Sequence, residues 1–205
     1  MKSIFSLFFA LITLCLSAQP AVDLEAFLGY KIGDHFTYHH QVVDYFQAVA
    51  EKSDQVVFQE YGQSWERRPL VVGIISSPEN IKNLETIRRN NLIRAGKMEG
   101  EISGKEATIV FLTYDIHGDE AACTEAALWT LERLTSNDPQ INKWLEEVVV
   151  VIDPCLNPDG RERYATWFNQ VANRPFNPST STVEHRPPWP GGRVNHYLFD
   201  LNRDW

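Results

Sequence analysis

Two apolar runs separated by a helical pattern constrain this chain more than any other feature. Ala107–Tyr114 and Val148–Ile152 lack the polar alternation of a half-exposed strand, so both read as strands covered on two faces. Between them, Glu120–Leu134 sets Ala127, Leu128, Leu131 and Leu134 at helical spacing, and Ile141–Leu145 continues as a shorter helix. Strand, helix, strand in this order implies a parallel pair joined by a right-handed crossover. The carboxyl ends of the two strands then lie side by side, where open α/β sheets bind their ligands.

The flanking segments supply further elements. Phe36, Val42, Val43, Phe46, Val49 and Ala50 predict an amphipathic helix over 36–52, with Asp34 or Thr37 as its cap. His39 and His40 fall on its polar side and are expected to be solvated, since neighbours on a helix point in different directions. Gln55–Tyr61 and Pro69–Ser76 are β-rich and predict an antiparallel pair joined by the polar turn Gly62–Arg68. Ser76-Ser77-Pro78-Glu79 opens a helix predicted to run through Leu84, Ile87 and Leu92, with Pro78 tolerated in its first turn. Residues 169–195, rich in Pro and Gly, predict a long loop lining the site.

Lys2, the apolar core Ile4–Leu16 and the small pair Ser17-Ala18 have the order of a secretory leader cleaved after Ala18, which places the mature chain outside the cell or in the periplasm. That core is too short for a membrane span, which needs about 20 apolar residues, so no stable membrane anchor is expected. Leu14 before Cys15 is too bulky for the usual lipidation site. The leader holds one Lys and no acid, so its removal takes the formal charge from −8 to −9. An acidic chain opposes nucleic-acid binding, which runs on clustered Lys and Arg. Cys123 and Cys155 remain and are expected as free thiols. Residues 19–205, with 43% apolar content over the whole sequence, are expected to form one domain.

His117-Gly118-Asp119-Glu120 follows the first apolar run, putting an imidazole and a carboxylate three residues apart at the mouth of a strand. Zinc takes neutral imidazole nitrogen and carboxylate oxygen, and a catalytic site keeps one position open for water. The pair alone has low specificity. Asn157-Pro158-Asp159-Gly160 leaves the second strand at the same rim and by itself reads as a turn. Asp200-Leu201-Asn202-Arg203 follows the long loop.

Taken with Gly62-Gln63-Ser64-Trp65-Glu66-Arg67-Arg68-Pro69-Leu70 and Ile75–Asn80, these motifs stand in the order found in zinc carboxypeptidases of the M14 type, which the chain resembles from Phe36 to its last residue. The resemblance implies an α/β fold with a mixed, largely parallel sheet flanked by helices. It implies one zinc ion held by His117 and Glu120, and a peptide or protein substrate whose free carboxyl terminus is held by Asn202 and Arg203. Asp200 matches the acid that accepts a hydrogen bond from the first ligand's other ring nitrogen. Arg174 or Arg163 would polarise the scissile carbonyl.

Two positions depart from the pattern: Asp119 stands where the digestive members have Arg, and Arg67 where a glycine is usual. The resemblance also implies a third histidine ligand and a general-base glutamate beyond Trp205. The chain is therefore expected to be the amino-terminal part of a catalytic domain and inactive by itself. His196 and His185 match no family ligand. Two other readings stay open: a zinc deacylase of N-acyl amino acids, related to aspartoacylase and succinylglutamate desuccinylase, and an inactive binding module.

Overall fold

The computed structural model describes residues 20–203; the expected leader, 1–18, lies outside the described residues. The first elements are α1 (Leu24–Leu28), capped by the Asp23 carboxylate on Ala26 N–H, and α2 (His39–Lys52). Helix α2 starts later than its apolar spacing predicts, and neither Asp34 nor Thr37 caps it. The Thr37 hydroxyl is turned to other partners: it donates to the Glu125 carboxylate at 2.7 Å and accepts from the Tyr30 hydroxyl at 3.0 Å, while the Thr37 N–H donates to Glu125 at 2.8 Å. Tyr38 takes the cap position in extended conformation, and the Gln41 side chain accepts its N–H at 3.2 Å. Val42, Tyr45, Phe46 and Val49 form the buried stripe of α2. His39 is buried as well, contrary to its expected solvation, because its Nε2 bonds the Pro69 carbonyl at 2.8 Å.

Strands β1 (Val56–Gln63) and β2 (Pro69–Ile75) pair antiparallel as predicted, with an irregularity between Glu60 and Gly62. The helix opened by Ser77 and Pro78 divides into α3 (Pro78–Lys82) and α4 (Leu84–Arg94), because Asn83 at φ −111°, ψ 16° leaves helical geometry between them. The central unit follows: β3 (Thr108–Thr113), α5 (Ala121–Leu134), α6 (Pro139–Leu145) and β4 (Val148–Asp153). Strand β4 lies between its neighbours in the order β1-β2-β4-β3, antiparallel to β2 and parallel to β3.

The sheet is mixed and flanked by helices, as expected, but among the described residues only the β3–β4 pairing is parallel. Alternate residues of β4 serve opposite faces. Val150 and Ile152 join the main core of Val42, Phe46, Leu128 and Leu131, whereas Val149 packs with Ile87 of α4 on the other side. Full burial of each such aliphatic side chain is worth about 1.5–3 kcal/mol. Strand β3 also departs from expectation. It is an edge strand, and Ile109, Val110 and Phe111 are exposed rather than covered, because among the described residues nothing pairs with its outer side.

Helix α7 (Pro158–Val171) stands where the sequence predicts only a turn. Asn157-Pro158-Asp159-Gly160 forms its first turn rather than a loop: the Asn157 side chain caps the Gly160 N–H at 3.0 Å, and Pro158 occupies the position where its missing N–H costs nothing. Beyond α7 the chain runs as the expected long loop, with one 3₁₀ turn at Val183–His185.

Candidate metal centre

The site forms where β3 and β4 end. Leu156 N–H and Asn157 N–H donate to the carbonyls of Tyr114 and Asp115 at 3.0 and 3.1 Å, which ties the two exit loops together. Asp115 is buried at φ 58°, and its Oδ2 accepts from Thr124 and from the Cys155 thiol. Burial lifts this carboxyl to about 6. The Cys155 thiol is thus held beneath the site, and burial first, then Asp115, raises its pKa. Cys123 is also free.

Three glycines allow the loops to touch. A Cβ on Gly118 would stand 2.0 Å from the Arg161 backbone nitrogen, and one on Gly160 would stand 2.2 Å from the Gly192 carbonyl. Loop 117–120, the first turn of α7 and loop 191–195 are therefore layered backbone on backbone. The early turn joins the same assembly. Ser64 Oγ and an Arg68 guanidinium nitrogen both donate to Asp159 Oδ1, at 2.6 and 2.7 Å, and Arg68 also pairs with Glu66. Motifs nearly a hundred residues apart in sequence thus meet in one hydrogen-bonded rim. Arg67 keeps the turn at φ 64° without the glycine that suits this conformation.

His117 sits buried at the centre. Its Nδ1 is 2.8 Å from Glu120 Oε1 and its Nε2 is 2.8 Å from Asp200 Oδ1. Burial pulls the imidazole pKa down, but the hydrogen bonds to Glu120 and Asp200 outweigh it, so the net shift is upward. The bond from His117 also brings Asp200 down to about 2, with the Asn202 N–H and Arg193 adding to the effect. With Nε2–H donated to Asp200, Nδ1 turns a lone pair toward the Glu120 carboxylate. At 2.8 Å the two stand as a hydrogen-bonded pair sharing a proton, and an imidazole nitrogen and a carboxylate oxygen are the donor types that zinc accepts. Among the described residues no group of three or more His, Cys, Asp or Glu is arranged to hold a metal.

The arginines fall differently from expectation. Arg174 bonds the Asp34 carbonyl at 2.7 Å and the His35 ring, and Arg163 bonds carbonyls of loop 191–195, so neither faces His117. Arg193 does. Its guanidinium grips Asp200 through Nε at 3.0 Å and a terminal nitrogen at 2.8 Å, and stands 3.5 Å from His117 Nδ1. The sequence signal that could have found it is Gly191-Gly192-Arg193, a glycine pair followed by a cation shortly before Asp200. Asn202 and Arg203 follow Asp200 on an exposed turn, with the Arg203 guanidinium on the Asn202 carbonyl at 2.8 Å. His196 pairs with Glu66 and packs against Trp65, and His185 bonds the Asn177 carbonyl; neither approaches His117.

Residues 42–205 match the family model described as zinc carboxypeptidase. The chain is 29% identical over 203 residues to carboxypeptidase E of Caenorhabditis elegans, covering 94% of this chain and 36% of that protein. It is 27% identical over 117 residues to cytosolic carboxypeptidase 6 of Mus musculus, covering 57% of this chain and 18% of that protein. Among solved structures, a metallo-carboxypeptidase from Burkholderia cenocepacia superposes with a TM-score of 0.51 at 18% identity, over 83% of this chain and 33% of that one. The chain thus spans about a third of the length of the worm relative. With four-fifths of its length under the family model, the chain belongs to the zinc carboxypeptidase family.

Proposed function

We propose that this chain carries the amino-terminal share of a zinc-dependent carboxypeptidase site that removes carboxyl-terminal residues from peptides. One observation carries the reading: His117 is held at both ring nitrogens, by Asp200 on one side and facing Glu120 on the other, each at 2.8 Å. In this reading His117 and Glu120 are two ligands of one zinc ion, and Asp200 fixes the tautomer and the direction of the ring. Bound zinc supplies Lewis acidity and a water of lowered pKa. Arg193, in place of Arg174 or Arg163, offers a guanidinium to the oxygen on which negative charge develops. Asn202 and Arg203 bind the substrate's free carboxylate, to which a planar guanidinium can donate two parallel hydrogen bonds. The leader pattern at residues 1–18 supports export as the location of this activity.

The test is an assay of the zinc-loaded, full-length protein on an amino-blocked dipeptide and on N-acyl aspartate. Release of the terminal amino acid from the dipeptide, lost in R193A, is the expected result. Cleavage of the acyl compound alone would transfer the assignment to the deacylases, and binding of peptide without cleavage would make the protein a binding module.

A further inference from the structure

Loop 191–195 has no regular secondary structure, yet four of its five carbonyls accept hydrogen bonds from side chains at the amino end of α7. Arg163 Nε donates to Gly191 at 3.0 Å, and one terminal nitrogen of the same guanidinium donates to Val194 and, at 3.3 Å, to Asn195. The Arg193 carbonyl accepts from the Asn157 side chain at 3.2 Å. The other terminal nitrogen of Arg163 reaches Glu66 at 3.5 Å, and the same Glu66 oxygen takes His196 Nδ1 at 3.1 Å, one residue beyond the loop. One guanidinium therefore joins α7, the early turn and the strip of backbone that carries Arg193.

We propose that Arg163 is a positioning residue for Arg193: it fixes the backbone from which the Arg193 guanidinium reaches Asp200 and the face of His117. The proposal rests on the carboxypeptidase reading for its kinetic consequences, but the clamp itself is a structural claim. Carbonyls of an irregular segment have no ladder to satisfy them, and a buried or half-buried carbonyl without a donor is costly. The Arg163 fork meets three at once, through Nε and one terminal nitrogen. A lysine ammonium, a point charge on a flexible stem, lacks the fixed geometry to do so. Asn157 holds the fourth carbonyl, that of Arg193 itself. The Arg193 side chain is half exposed, so the direction of its guanidinium depends on this backbone as well as on Asp200. A displacement of about 1 Å at a group that acts on the transition state costs about a hundredfold in rate.

The test uses the full-length, zinc-loaded protein with R163K, R193K and the double variant. R163K is expected to lower kcat about 10–100-fold, with KM and zinc affinity within about threefold, because His117 and Glu120 lie on a different loop. In the R193K background the same change is expected to cost little further, since the group it positions is already altered. Hydrogen exchange provides a readout independent of activity: the amides of 191–195 should exchange faster in R163K, while those of β3 and β4 keep their protection. Full additivity of the two substitutions, or unchanged exchange in 191–195, overturns the proposal. A wild-type protein without peptidase activity would remove the carboxypeptidase reading, and the exchange experiment would still decide the clamp.

Discussion

The Asp200 carboxylate meets His117 Nε2 at 2.8 Å across 83 positions of sequence. The contact fixes which nitrogen of the ring faces Glu120, and it draws Asp200 down to about 2, so this carboxylate is ionised throughout the working range of pH. D200N removes that charge and lets the ring turn. The expected outcome is a loss of zinc affinity of about 10–100-fold, read by competition with a chelator of known affinity. Affinity equal to wild type would show that Asp200 does not orient the ligand.

The glycine layering predicts a sharp contrast between two alanine substitutions. G118A places a methyl group where the backbone of Arg161 stands, at 2.0 Å, and no flexible side chain is there to yield. The loops must separate, with an expected cost of about 3 kcal/mol and the loss of zinc binding. A Cβ on Gly62 meets only Leu70 Cδ1 at 3.8 Å, so G62A should change stability by less than about 1 kcal/mol. Urea unfolding of the two variants checks the contrast, and similar midpoints would mean that the loops are not held in backbone contact.

A buried ion pair supports the site from below. The Arg161 guanidinium and the Glu125 carboxylate are both buried and meet at 2.5 Å, Thr37 donates to the same carboxylate, and Arg161 also bonds the carbonyl of Ala121, next to Glu120. E125A leaves a buried guanidinium unpaired and should cost about 3–5 kcal/mol. The double variant R161M/E125L removes both charges and should recover most of that loss. If E125A unfolds at the wild-type denaturant midpoint, the pair does not hold α5 to α7.

The elements that sequence made legible are those specified locally. Ser77-Pro78 caps and starts a helix by its own chemistry, and the alternating faces of β4 follow from its apolar run. What stayed hidden depends on partners far along the chain. Thr37 does not cap because Glu125 and Tyr30 together hold its hydroxyl, and His39 is buried because Pro69 offers it a carbonyl. Strand β3 looked covered because its composition, Thr-Ile-Val-Phe-Leu-Thr, belongs to a strand with neighbours on both sides, and composition does not report which neighbours are at hand. At the site, His117 and Glu120 are visible in the sequence as a His-x-x-Glu pair of low specificity, and Asp200 enters only through the resemblance to the zinc carboxypeptidases; the structure brings the three within hydrogen-bond distance. Arg193 was not legible in the sequence, because only the layering of Gly118, Gly160 and Gly192 brings its loop against His117.

His39 gives the fold a pH dependence of definite sign. The ring is buried, its Nε2 binds the Pro69 carbonyl, and its Nδ1 has no partner among the described residues; Glu162, Arg68 and Asp159 are the charged groups that act on it. Burial is the largest influence and lowers its pKa. The folded chain therefore resists a proton that the unfolded chain accepts near the ordinary histidine value of about 6.5. Stability should fall as pH drops below that value and level off once pH is beneath the lowered folded pKa, with a slope of at most about 1.4 kcal/mol per pH unit for one proton. H39Q keeps a donor for Pro69 and removes the titration. Urea unfolding between pH 7.5 and 5 should show a shallower loss of stability in H39Q than in wild type, and parallel curves would assign the acid sensitivity to other groups.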